Sequence, residues 1–160
     1  LHENRGRATV ERSFSVFLSS GTSVNDTRTP EQRRRIMQSV GTKNTGPEVI
    51  VRRLLHRLGY RFSLHRRSLP GSPDIVLRKH KTVIFVHGCF WHGHGCDKGR
   101  LPKSRLEYWS EKIDATKRRD AATQKALTLA GWEVVTVWQC EAVDLSDLER
   151  TILARVNRRQ

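Results

Sequence analysis

Acidic side chains are in short supply in this 160-residue chain: 16 Asp and Glu stand against 30 Lys and Arg, leaving a formal net charge of +14. That imbalance suits a polyanionic partner: nucleic acid, ribosomal RNA as a structural client, or an anionic membrane surface. Long apolar runs are missing as well. No stretch approaches the roughly 18 apolar residues of a spanning helix, and "FSVFLSS" near the start is too short and polar for a signal-peptide core. A membrane is therefore the weakest partner, and a cytoplasmic protein is expected. Cysteine is scarce and odd in number: Cys89, Cys96 and Cys140 argue against a disulfide framework and leave metal ligation or inert burial. Internal repeats and long low-complexity segments are also missing. The length suits one domain with a real core, plus a tail.

Residues 1–28 mix Ser, Thr, Asn, Arg and Gly without sustained periodicity and read as a flexible tail. The pattern changes at "TPEQRRRIMQSV", where Thr29 can cap a helix, Pro30 fits its first position and Glu31 its first turn. "TGPEVIVRRLLHRLGYRF" repeats the device with Pro47 and Glu48; Ile50, Val51, Leu54, Leu55 and Leu58 follow at helical spacing before Gly59 stops the helix. "YRFSLH", "PDIVL", "KTVIFVH" and "WEVVTVWQ" are short β-branched or aromatic runs bounded by Gly, Pro or charge, and predict strands. A long helix is expected over 105–130, ending at Gly131, and a last one from Asp144 or Ser146 to about Arg158. Helices interspersed with a mostly buried mixed sheet point to an α/β sandwich, in one domain over 29–160.

Chemistry concentrates in "VIFVHGCFWHGHGC", residues 83–96. Cys89, His94 and Cys96 with Cys140, at the end of "VVTVWQC", make a Cys3His set of the kind that binds structural zinc. Gly88, Gly93 and Gly95 allow a tight loop to fold back on the metal. Four protein ligands would close the zinc, so it would brace the site and leave the reaction to other residues. The alternative is that the cysteines are small buried hydrophobes.

Asp74 follows Pro73 at the mouth of a strand, where a carboxylate can hold Mg2+ beside a phosphate; it can also be an ordinary turn residue. His87 and His92 flank the metal loop, and a histidine near neutral pKa can move protons at an attacking water or a leaving oxygen. Either can equally be a plain loop histidine. Glu48 is explained by the helix macrodipole, or it orients a metal-bound water. Asp120 is most simply a solvated partner of Lys117, three residues before it.

Taken together, "SLPGSPDIVL", "VIFVHGCFWHGHGC", "RLEYWSEKI" and "GWEVVTVWQC" closely resemble the bacterial very-short-patch-repair (Vsr) mismatch endonucleases, over roughly residues 29–142. The resemblance implies a restriction-endonuclease-like core of the PD-(D/E)xK type, with a mixed central sheet flanked by helices. It implies a Mg2+-dependent endonuclease that nicks duplex DNA 5′ to the T of a T:G mismatch left by deamination of 5-methylcytosine. By position, Asp74 would ligate Mg2+, His92 would be the general base, and His87 would assist through metal-bound water. Glu48 and Asp120 match supporting acidic positions. Where the wider nuclease pattern carries a second acid this chain has Val86, whose backbone carbonyl would serve as the Mg2+ ligand, and no catalytic lysine follows.

The resemblance also points to Phe90, Trp91 and Trp109 as a wedge between base steps. Residues 29–45 then read as a basic DNA-contacting arm, with Arg33, Arg34, Arg35 and Lys43 on phosphates and Met37 as an apolar contact near the mismatch; by itself the charge run can equally be a solvated face. Lys112 matches a base-reading position, while Thr116 stands where Asn is expected. A monomer is expected, associated with the bacterial nucleoid during repair, with a mismatch-repair protein partner left open. The rival readings are a catalytically silent zinc module that binds nucleic acid, and a zinc hydrolase using His87 or His92 as a ligand.

Overall fold

The computed structural model describes residues 29, 31, 32, 35 and 43–156. The chain divides into two compact units, Leu1–Ser39 and Val40–Gln160. In the first, Thr29 and Gln32 cap each other: the Gln32 N–H donates to Thr29 Oγ1 at 3.1 Å, and the Thr29 N–H donates to Gln32 Oε1 at 2.9 Å. This exchange satisfies amide donors that a helix start leaves without intrahelical partners. Glu31, Gln32 and Arg35 are helical, as the Thr29-Pro30-Glu31 signal predicts. The expected tail over 1–28 and the arm residues Arg33, Arg34 and Met37 lie outside the described residues.

The second unit runs α1 (Gly46–Arg57), β1 (Ser63–Leu64), β2 (Ile75–Leu77), β3 (Thr82–His87), α2 (Leu106–Leu129), β4 (Glu133–Trp138) and α3 (Leu145–Val156). Gly59 ends the first helical region with φ +81°, as its place in the sequence predicts. Asp144 caps α3 by accepting the Ser146 and Asp147 amides at 2.9 and 3.1 Å. The four strands stand in the order β1-β2-β3-β4. The first two pairings are antiparallel and β3 with β4 is parallel, so the sheet is mixed. A parallel neighbour needs a crossover, which the loop after β3 and α2 supply.

Alternation along the strands sends side chains to two faces. Ile75, Leu77, Ile84, Val135 and Val137 pack with Val51, Leu54 and Leu55 of α1 and Leu148, Ile152 and Val156 of α3. Val76 and Val83 face the other way, with Leu127 of α2 and the partly buried Phe85, Trp132 and Val134. Each fully buried Leu or Ile contributes about 2 kcal/mol through apolar burial. Helix α2 buries only Ile113 and Leu127, so most of its surface stays available to a partner.

One strand is shorter than the sequence suggests. "YRFSLH" is extended at Ser63–Leu64, and His65 then turns to φ 45°. Its N–H still donates to the Asp74 carbonyl at 3.3 Å, which ties this turn to the start of β2. At the far end of the sheet, the parallel register sets His87 opposite Trp138. The loop after β3 and Cys140 after β4 therefore emerge side by side.

Candidate active site

The metal-ligand atoms of Cys89, His94, Cys96 and Cys140 all lie within 4.8 Å of one another. The loop that gathers them is pinned by its own backbone: the His94 N–H donates to the Cys89 carbonyl and the Gly99 N–H to the Cys96 carbonyl, both at 2.9 Å. Of the glycines expected to shape this loop, Gly88, Gly93 and Gly95, only Gly93 has a positive φ, at 62°. Gly99 matters for a different reason, since any side chain there would run into the His94 carbonyl. The His94 ring stacks on Trp138, with centroids 4.3 Å apart and planes 13° from parallel, and its Nδ1 lies 3.4 Å from Cys140 Sγ.

The thiols interfere with one another. Burial, then the neighbouring Cys89 and Cys96, pushes Cys140 up to about 12. Burial also works against ionisation of Cys96, but hydrogen bonds from His94 and the nearby groups outweigh it and bring that thiol down to about 7. Three sulfurs this close cannot all be thiolates without a cation among them, and a divalent cation removes the penalty. The donor set therefore fits zinc.

A second cluster joins β3, the loop and α2. The His92 Nδ1–H donates to Asp120 Oδ2 at 2.6 Å. A carboxylate can only accept, so Nδ1 carries the proton and Nε2 is left as the acceptor. The His87 and His92 rings stack at 3.7 Å, 9° from parallel. Burial, reinforced by His92, pulls His87 down to about 4, so this imidazole is neutral at neutral pH. Beside them is a cavity of about 210 Å³ between the sheet and α2, lined by Phe85, His87, His92, Lys117, Asp120 and Trp138 among others. Asp120 is thus a partner of His92, not of Lys117 as its sequence neighbourhood suggests.

The third cluster is Glu48, His65 and Asp74, whose ligand atoms also lie within 4.8 Å of one another. Asp74 Oδ2 accepts the Val86 N–H at 2.8 Å. Burial raises the Asp74 pKa; the Val86 amide opposes this, the Glu48 charge adds to it, and His65 and Arg52 oppose it. Glu48, only 3% exposed, has far more than a macrodipole to satisfy. It accepts from the Asn44 and Thr45 amides, from the Thr45 hydroxyl at 2.9 Å and from Arg52 Nη2 at 2.6 Å. Glu48 already has the Arg52 cation, whereas Asp74, destabilised as an anion by burial and by the Glu48 charge, would be relieved by a further cation, so its carboxylate fits Mg2+.

Sequence reasoning passed over Arg52 and His65. Arg52 was legible as the residue four after Glu48 on one helix. His65 carried no local signal, because a lone histidine at a strand end is commonplace.

The aromatic residues expected to act together are in contact. Phe90 meets Trp91 and Trp109 edge-to-face, each at 5.1 Å, and Trp91 meets Trp109 at 6.2 Å. Tyr108, not singled out from the sequence, extends the group at 5.2 Å from Trp109 and is 46% exposed. Cations flank it: Arg105 lies over Tyr108 at 5.0 Å, and the Lys112 ammonium is 5.7 Å from both Tyr108 and Trp109. The Thr116 hydroxyl donates to the Lys112 carbonyl at 3.1 Å and is engaged with its own helix. Arg35 and Lys43 are exposed. Among the described residues, no helix is long and apolar enough to cross a membrane.

Comparison with known proteins finds relatives along most of the chain. A family model described as DNA mismatch endonuclease Vsr matches residues 25–98. A Xanthomonas oryzae protein named type II nicking enzyme V.XorIIP is 59% identical over 126 residues, which cover 79% of this chain and 93% of that protein. The Neisseria meningitidis type II nicking enzyme V.NmeAIP is 43% identical over 118 residues, covering 74% and 84%. The Escherichia coli DNA mismatch endonuclease Vsr is 40% identical over 108 residues, covering 68% and 69%.

Proposed function

The chain belongs to the Vsr family of DNA endonucleases, and on that premise we propose that it nicks duplex DNA 5′ to the T of a T:G mismatch by Mg2+-dependent hydrolysis. The observation that carries the reading is the His92–Asp120 hydrogen bond at 2.6 Å beside the stacked His87. It supports a base with its acceptor nitrogen free next to a cavity. His92 Nε2 takes the proton of the attacking water as the water oxygen bonds to phosphorus. The bond to the 3′ oxygen breaks and that oxygen takes a proton from a neighbouring water, leaving a 3′-hydroxyl and a 5′-phosphate. His87, neutral at neutral pH, would assist through water held at the Mg2+ site.

Asp74 and the Val86 carbonyl would hold Mg2+, with Glu48 in support, as in a PD-(D/E)xK core that has lost its second acid. When bound there, Mg2+ polarises the phosphoryl group and makes water at the site more acidic. Cys89, His94, Cys96 and Cys140 would hold a structural zinc, closing its coordination so that the loop carrying His92, Phe90 and Trp91 is fixed relative to β4. Phe90, Trp91 and Trp109 enter the base stack at the mismatch. Residues 29–45 form the basic arm, on which Arg33, Arg34, Arg35 and Lys43 contact phosphates and Met37 the mismatch, and Lys112 reads bases. One endonuclease domain over 29–160, acting as a monomer on nucleoid DNA in the cytoplasm, completes the reading.

The test is a strand-resolved cleavage assay on T:G and matched duplexes with Mg2+, comparing the wild type with Asp74→Ala and His92→Ala. Nicking of the T strand alone, lost in both variants, is expected. Equal cutting by Asp74→Ala would refute the metal role, and uncut DNA under all conditions would favour a silent binding module.

A further inference from the structure

Resting on the reading of Asp74 as the Mg2+ ligand, we propose that His65 is a positioning residue: a hydrogen-bond chain from Glu48 through Arg52 orients its ring, which then acts on the Asp74 carboxylate electrostatically across 3.8 Å. The side-chain geometry sets the direction of the relay. Arg52 is held from two sides: Nη2 donates to Glu48 Oε2 and Nη1 to Asn44 Oδ1, each at 2.6 Å. Arg52 Nη2 also lies 3.1 Å from His65 Nε2. A guanidinium only donates, so the Nε2 lone pair must accept and the imidazole proton sits on Nδ1. Nδ1 is the nitrogen that faces Asp74, 3.8 Å from Oδ1.

The two oxygens of Asp74 therefore face different donors. Oδ2 is fixed by the Val86 N–H at 2.8 Å, and Oδ1 faces the His65 N–H. The Val86 bond restrains the carboxylate about its otherwise broad χ2 torsion, and the His65 N–H, beyond direct hydrogen-bond length, biases Oδ1 through its dipole. The backbone reinforces the arrangement: His65 sits at φ 45°, and its own N–H is bonded to the Asp74 carbonyl at 3.3 Å. The left-handed turn that cuts β1 short is what swings the ring between Glu48 and Asp74. Glu48 acts here at a distance, since its tie to Arg52 selects the tautomer that His65 presents.

The experiment has two readouts, neither of which is cleavage. Long-range proton–nitrogen correlation spectra of the nitrogen-labelled full chain without added Mg2+ report the tautomer of His65. The Nδ1–H form is expected, and it should give way to a mixture in Arg52→Gln. An Nε2–H form in the wild type overturns the relay. Titration with Mn2+ as a Mg2+ surrogate, followed by electron paramagnetic resonance, measures the site directly. His65→Ala should weaken Mn2+ binding about tenfold, the scale of lost outer-shell partners. His65→Gln, which can accept from Arg52 and donate to Asp74, should restore most of it and serves as the folding control.

Wild-type Mn2+ affinity in His65→Ala would overturn the positioning role. Asp74→Asn separates the two ideas. If it abolishes Mn2+ binding while His65→Ala does not, only the relay falls; if Asp74→Asn binds like wild type, the metal reading falls and takes the relay with it.

Discussion

Asp120, past the middle of the long helix α2 (Leu106–Leu129), accepts from His92 Nδ1 at 2.6 Å across 28 residues of chain. The contact fixes both the tautomer and the ring orientation of the residue assigned as base. Asp120→Asn keeps the size of the side chain but lets the amide donate, which favours the wrong tautomer. Single-turnover nicking of a T:G duplex should fall about a hundredfold or more, with little change in DNA affinity. Rates within threefold of wild type would remove Asp120 from the machinery.

The thiol cluster predicts a structural dependence on metal. Cys140→Ser removes the ligand contributed by the segment after β4, so zinc content by atomic absorption should drop well below one ion per chain. Loop residues 88–100 should then become sensitive to limited proteolysis, and the melting temperature should fall by several degrees. Tight zinc retained in Cys140→Ser would refute the Cys3His assignment.

The aromatic group predicts a defect in DNA distortion that can be separated from chemistry. Trp91→Ala, or Phe90→Ala, should lose about 1–3 kcal/mol of base stacking. A fluorescent base analogue beside the mismatch should brighten on binding the wild type and stay dim with the variants. An unchanged fluorescence rise would return these rings to core packing.

Phosphate contacts predict steep salt dependence. The logarithm of DNA affinity should fall linearly with the logarithm of salt concentration. Lys43→Ala should reduce that slope by about 1 while weakening matched and mismatched duplexes alike. Lys112→Ala, beside the aromatic group, should instead narrow the difference between the two duplexes.

The elements were largely legible in the chain. Pro47 and Glu48 opened α1, Gly131 closed the long helix, and the β-branched runs became strands because local propensity and apolar period agreed. "YRFSLH" fell short for a tertiary reason: His65 left the extended region to reach Glu48 and Asp74. Nothing in its neighbours announced that, since the groups it faces lie elsewhere in the chain. For the same reason local spacing points Asp120 at Lys117, close in sequence, while His92 is its partner in space; only the family resemblance directs it to the site.

By itself, the sequence determined the elements, the basic character and the ligand types, because those depend on composition and on short-range periodicity. It also placed Cys89, His94 and Cys96 in one loop. Only the tertiary structure decided which carboxylate serves which histidine. The parallel pairing of β3 with β4 brings Cys140 to that loop, and packing of α2 on the sheet carries Asp120 to His92. Such pairings follow from three-dimensional packing of segments dozens of residues apart, where spacing along the chain holds no information about direction in space.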